Sequence, residues 1–212
     1  MQYRMKTNIR CEMREMQKIE YEKPDSPEHK KALNKYRELL SLVVNRRTQV
    51  DKLVDWLEQK TNWLAAPAST KFHLNIPGGL LIHSVGVTET LLKVRDCMCP
   101  EYSDESCVIV GIFHDVGKVG SEGIPHYLPN PDMQKIDVQP YIRNPELVTM
   151  GIGVRSLYTV ARFVELSDEE AQAICYHDGQ YVPDNRVVAL KERKLLLMLH
   201  YADLWTAQVI EI

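Results

Sequence analysis

Along most of the chain, hydrophobic and polar positions recur at helical spacing. Leu33, Tyr36, Leu39, Leu40 and Val43 share one face of a segment that opens at Ser26-Pro27-Glu28 and runs to about Asn45. Ser26 supplies an N-cap there, Pro27 takes the first helical position and Glu28 complements the helix dipole. Val50, Leu53, Val54 and Leu57 predict a second helix. "LAAPAST" breaks the pattern, and "NIPGG" reads as a turn whose Gly78-Gly79 pair allows close backbone approach. From Leu80 an apolar helix runs to about Met98. Ser103 can cap the next, which carries Cys107 through His114. Residues 119–143 are Pro-rich without a clear period and read as a long loop, a length often tied to function. Asn144-Pro145-Glu146 reads as the start of a further helix. Ser167-Asp168-Glu169-Glu170 matches a capping box and opens a helix ending near His177. A last, Leu-rich helix spans Glu192 to about Ile210. Strand signals are nearly absent. The expected class is all-α, with residues 1–25 an N-terminal extension and 26–212 one domain.

Composition narrows the function classes. The 212 residues are 44% hydrophobic and 26% charged, as in ordinary globular domains. A formal net charge of -3 gives no global field toward nucleic acid or membrane, though a local basic pocket stays open. No apolar run reaches the roughly 18 residues of a membrane span, and the start of the chain is too charged for a secretory signal. The expected location is the cytoplasm. The 5 cysteines are then expected as free thiols, and Cys97-Met98-Cys99, without a second pair, reads as a helix end and not as half of a zinc site.

The chemistry concentrates in stretches that end or begin helices. "PGGLLIHSV" carries His83, "IFHDVGK" carries His114-Asp115 and Lys118, "CYHDGQY" carries His177-Asp178, and "LHYADLWTA" carries His200 and Asp203. His114 and Asp115 close a strongly apolar run, and such groups avoid burial unless they are paired or bind a metal. Imidazole and carboxylate together suit Mn, Fe, Co, Ni or Zn and leave coordination positions for water. Neighbours on a helix point about 100° apart, so His114 and Asp115 can share one ion only near the helix end. His83 and Asp203, in otherwise apolar helices, are candidates for the remaining ligands.

His83, then His114-Asp115, then Asp203 resembles the H…HD…D signature of the HD-domain metal-dependent phosphohydrolases. "HDVGK" resembles that family's HD-x-GK form, and "YADLWTA" its final AD helix. "FHLNIPGGLLIHS" is similar to the HD domain of bacterial 3′→5′ exoribonucleases, and "YHDGQYVP" to the His-Gly segment of that branch. The resemblance covers residues 72–207. It implies a helical bundle that binds one divalent ion (Mn, Co, Ni, Fe, Mg or Zn) through His83, His114, Asp115 and Asp203. Binuclear members add His ligands between the HD pair and the last Asp. This chain reads "TMGIGVRSL" there, so one metal is expected and a second is in doubt. Some small HD nucleotidases place a catalytic Glu where this chain has Lys118, which argues against a monophosphate nucleotidase.

The implied activity is hydrolysis of a nucleotide or nucleoside polyphosphate, with Asp115, Lys118 and His177 as catalytic candidates. Lys118 would neutralise phosphate charge, although a lysine past a helix end also satisfies the dipole. His177 would bind phosphate, act as general acid or join a second metal; its rival role is to cap its helix. His73, His126, Tyr127, Arg143 and Arg155 are candidate substrate contacts, the arginines as phosphate forks. The rival readings are a packed His73, an uninvolved loop His126 and surface ion pairs for the arginines. His200 reads as a packed histidine. Other functions left open are a 3′→5′ nuclease-like phosphodiesterase and a non-catalytic nucleotide-binding or signalling module. The expected partner is a small phosphate compound, with no membrane, nucleic acid not favoured and a homo-oligomer left open.

Overall fold

The structure, a computed structural model, describes residues 24–132 and 139–211. The N-terminal extension read from the sequence falls almost wholly outside the described residues. Among those described, the chain is mostly helical: α1 (Pro27–Leu40), α2 (Arg47–Lys60), α3 (Gly79–Met98), α4 (Asp104–Phe113), α5 (Ile152–Ala161), α6 (Asp168–Tyr176) and α7 (Lys194–Trp205). The all-α expectation holds at that level. No helix among the described residues is long and apolar enough to cross a membrane.

Local signals set most of the boundaries. Ser26 Oγ accepts from His29 N at 3.1 Å and caps α1. Ser103 caps α4 in the same way, and Ser167 with Glu170 closes a full capping box on α6. Gly78 precedes α3 in the left-handed region at φ 77°, which a Cβ would disfavour. One core runs through the bundle, with Tyr36, Leu53, Leu57, Trp63, Leu80, Leu91, Ile109, Ile112, Phe113 and Ile174 fully buried. The helices α3 and α4 lie at its centre and cross tightly. A Cβ on Gly111 would sit 2.6 Å from Thr88 Oγ1 and 3.0 Å from Thr88 Cα, so the glycine permits the crossing.

The structure corrects the sequence reading at four places. First, α1 ends at Leu40, short of Asn45, and α2 begins at Arg47. A buried charge network fixes this corner: Arg46 bonds Glu105 Oε1 at 2.8 Å and both oxygens of Glu170 at 2.7 Å. Second, Asn144-Pro145-Glu146 starts no helix, and α5 begins at Ile152. Asn144 instead makes a turn, its Oδ1 accepting from Glu146 N at 3.0 Å while its Nδ2 donates to Pro125 O at 2.9 Å. Third, the long loop holds a short antiparallel hairpin, β1 (Tyr127–Pro129) with β2 (Tyr141–Arg143). Fourth, the last helix is α-helical only over Lys194–Trp205 and then widens into one π-helical turn, Thr206–Ile210. Thr206 Oγ1 is tied to Thr90 Oγ1 on α3 at 3.1 Å, and that turn brings Glu211 back toward α3.

Candidate metal centre

Helix ends aim the site. His114 is the C-cap of α4, and its Nδ1 lies 2.7 Å from Gly111 O, a carbonyl left free at the helix end. Nδ1 must therefore carry the proton, and a neutral His114 presents a bare Nε2 to the interior. His177 caps α6 with the same geometry, its Nδ1 2.9 Å from Ile174 O. Asp115 follows His114 at the junction to a short 3-10 turn, Val116–Val119, which returns Lys118 Nζ to within 2.5 Å of Asp115 Oδ2. One turn into α3, His83 points its Nε2 at Asp203 Oδ1 on α7, 3.1 Å away.

These side chains converge. His83 Nε2 lies 3.8 Å and His114 Nε2 3.6 Å from Asp115 Oδ2, and His177 Nε2 lies 3.4 Å from Asp115 Oδ1. The donor atoms of His83, His114 and Asp203 lie within 4.8 Å of one another, and so do those of His114, Asp115 and His177. His83, His114, Asp115 and His177 are 2% exposed or less. A cavity of about 170 Å³ opens onto the cluster, lined by His73, His83, Asp115, Lys118, Asp203 and Tyr181 among others.

Electrostatics show what the cluster needs. Burial pushes the His114 imidazole down to about 4, so it is a neutral donor at physiological pH. Burial also opposes charge on His83, but hydrogen bonds to Asp203 and Glu211 overcome it and raise His83 to about 10. His177 rises to about 9 because Asp178 and Asp115 outweigh its burial. The Asp115 carboxyl lies well below its usual range, despite burial, through Lys118, His114 and His177. Asp203 is likewise low, despite burial, through His83, His114 and His177. His114 Nε2, Asp115 Oδ1 and the neighbouring His73 Nε2 are buried without a hydrogen bond, although His177 Nε2 stands 3.4 Å from Asp115 Oδ1. An imidazole lone pair on His114 beside the buried Asp115 carboxylate is a donor set for a divalent cation. The buried His and Asp groups can hold a metal ion, and they fit one on this chemistry.

The sequence-predicted residues divide into two sets. His83, His114, Asp115, Asp203, His177 and Lys118 meet at the cluster. His73 is half-buried beside it, with ring centroids 4.9 Å from those of His83 and Nε2 3.8 Å from Glu211 Oε2. His126, Tyr127, Arg143 and Arg155 gather instead around the hairpin and α5, on elements next to the Lys118 turn. His200 holds the His177 backbone, with Nδ1 2.7 Å from His177 O.

Glu211 escaped the sequence reading. Its oxygens lie 3.1 and 3.2 Å from His83 Nδ1, so the ring donates to it and keeps Nε2 toward Asp203. Nothing in the spacing of the last residues marks this role, which arises from the π-helical turn. No protein-family model, curated protein or solved structure matches this chain.

Proposed function

We propose that this chain is an HD-type metal-dependent phosphohydrolase acting on a nucleotide or nucleoside polyphosphate. The observation that carries the reading is the buried convergence of His114 Nε2, which has no hydrogen-bond partner, and the Asp115 carboxylate with His83 and Asp203. These four side chains hold the ion. When bound, a divalent cation supplies a Lewis acid for phosphoryl oxygen and a nucleophilic water at neutral pH.

The chain's own residues do the rest. Glu211 fixes the His83 ring and Gly111 O fixes the His114 ring, so each presents Nε2. Lys118 Nζ stands at the cavity wall, where it takes a phosphate oxygen and offsets charge as the bond to the leaving group lengthens. His177 is the remaining general-acid candidate: Asp178 and Asp115 favour its charged form against burial, and its Nε2 lies 3.4 Å from Asp115 Oδ1, behind that carboxylate. The cavity is smaller than the roughly 300 Å³ at which pockets enclose drug-sized ligands, so it holds the reacting phosphoryl end while the nucleoside lies at the rim.

The test is a turnover panel. Protein loaded separately with Mn²⁺, Co²⁺, Ni²⁺, Mg²⁺ or Zn²⁺ is offered nucleoside mono-, di- and triphosphates, cyclic nucleotides and short oligonucleotides. Metal-dependent release of phosphate, pyrophosphate or triphosphate, lost in Asp115→Ala, is the expected result. Cleavage of oligonucleotides alone would favour a nuclease, and binding without turnover under any metal would favour a binding module.

A further inference from the structure

Next to the metal cluster lies a group of basic side chains: Lys118 is paired with Asp115, whereas Arg143 and Arg155 meet no carboxylate among the described residues. The Lys118 turn is clamped against α5: Gly117 N donates to Ser156 Oγ at 2.8 Å, and a Cβ on Gly117 would meet Ile152 O at 2.5 Å. This contact fixes the stretch of α5 that carries Arg155, one residue before Ser156, beside the turn that carries Lys118. Arg155 is 3% exposed. One of its terminal nitrogens donates to Val148 O, but its Nε is buried without a partner. No carboxylate among the described residues pairs with it, and burial alone pulls its guanidinium down. Among the described residues this buried guanidinium has no counter-charge, a strongly destabilising arrangement that an anionic ligand would relieve.

The hairpin borders the same turn. Gly120, two residues past Lys118, comes so close to it that a Cβ would sit 2.6 Å from His126 N. His126 is buried, and neither of its ring nitrogens has a hydrogen-bond partner. Its ring packs edge-on to Tyr127, with centroids 4.6 Å apart. Tyr127 stands directly across the ladder from Arg143, which puts both side chains on one face of the hairpin. Besides burial, the charges of Arg155, Arg143 and Lys118 all act on His126 and keep it neutral. The carboxylate that acts on it is Asp115, already paired with Lys118.

We propose that Arg155, Arg143 and His126, with Lys118, form an anion subsite for the phosphate chain of a polyphosphate substrate, beside the phosphate that is attacked. Its role in turnover rests on the hydrolase reading above; anion binding itself does not. A neutral His126 can give one N–H, the guanidinium groups give paired donors, and the negative charge of a phosphate chain meets the surplus of cations. A lone orthophosphate engages only part of this set. The subsite therefore favours di- and triphosphates over monophosphates.

Calorimetric titration of the protein, loaded with Mn²⁺, with inorganic tripolyphosphate, pyrophosphate and orthophosphate tests this. Arg143→Glu, at an exposed position, and Arg155→Lys run alongside, with metal content and melting temperature recorded for each. The expected result is tripolyphosphate binding at least about tenfold tighter than orthophosphate. Each variant should weaken tripolyphosphate about tenfold or more with metal content unchanged. Equal affinity for the three anions, or tripolyphosphate affinity unaltered in the folded Arg143→Glu protein, would overturn the subsite even if nucleotides are hydrolysed. Tight, arginine-dependent tripolyphosphate binding in a protein that hydrolyses no nucleotide would uphold the subsite and remove the hydrolase reading.

Discussion

Replacing Glu211 should weaken metal binding, and the loss should grow with pH. Glu211 accepts from His83 Nδ1 with oxygens at 3.1 and 3.2 Å, and its side chain is 6% exposed. Such a carboxylate orients the ring and makes Nε2 a better donor, a contribution of roughly 10- to 100-fold in metal affinity, or about 1.4–2.7 kcal/mol. Glu211→Gln keeps one acceptor and loses the charge, so it belongs near the tenfold end. Glu211→Ala loses orientation as well and belongs near the hundredfold end. The pH dependence follows from competition. Hydrogen bonds to Asp203 and Glu211 raise His83 to about 10 against its burial, so at neutral pH the ion must displace a proton that Glu211 also favours. The two preferences largely cancel near pH 6.5 and separate as His83 loses its proton. Mn²⁺ affinity, measured by competition with a metal buffer from pH 6.5 to 10.5, should therefore differ little at the acid end and most above the His83 value of about 10. A constant difference, or none at pH 10.5 in a folded variant, would refute the idea that Glu211 acts through His83.

Other outcomes follow from the same structure. Gly111→Ala would place a methyl 2.6 Å from Thr88 Oγ1, force α3 and α4 apart and separate His83 from His114. It should cost about 1–3 kcal/mol in chemical unfolding and lower metal affinity together with activity. Arg46→Ala strands Glu105 and Glu170, whose side chains are 8% and 2% exposed. Denaturant titration should show a loss of about 3 kcal/mol, at the low end for buried pairs because backbone N–H groups still hold both carboxylates, with turnover per folded molecule unchanged. In the chelated protein, His83 and His177 are raised to about 10 and 9 by the carboxylates that outweigh their burial. Their stabilisation is complete below the ordinary value of 6.5 and is lost as pH rises through 9 to 10. Asp115 and Asp203, held low, add stability above the ordinary 3.8 that is lost as pH falls. The melting temperature should fall from about pH 6.5 toward pH 9 without metal, whereas the stabilisation that saturating Mn²⁺ adds should grow over the same range.

The helices were legible because their determinants are local. Capping serines at 26, 103 and 167 and an apolar face every third or fourth residue mark them without tertiary help. The predicted ligands also meet, because His83, His114 and Asp203 lie on core helices whose packing leaves little choice of where they point. What the sequence concealed depends on long-range contacts. Asn144 looks like a helix cap until its amide is seen bound to Pro125 O. Glu211 gains its role through a π-helical turn and a threonine pair between α3 and the chain end, neither of which leaves a periodic trace. The hairpin strands are three residues each, too short for alternation to register.

The most direct test of the metal centre is to see the ion. Crystals of the full-length protein grown with saturating Mn²⁺ and measured at a wavelength that maximises the manganese anomalous signal would locate it without assumptions about activity. A single strong peak bounded by His83 Nε2, His114 Nε2, Asp115 and Asp203, with the Glu211 carboxylate still on His83 Nδ1, is the predicted result. A peak elsewhere, or none among these four side chains at saturating Mn²⁺, would contradict the account.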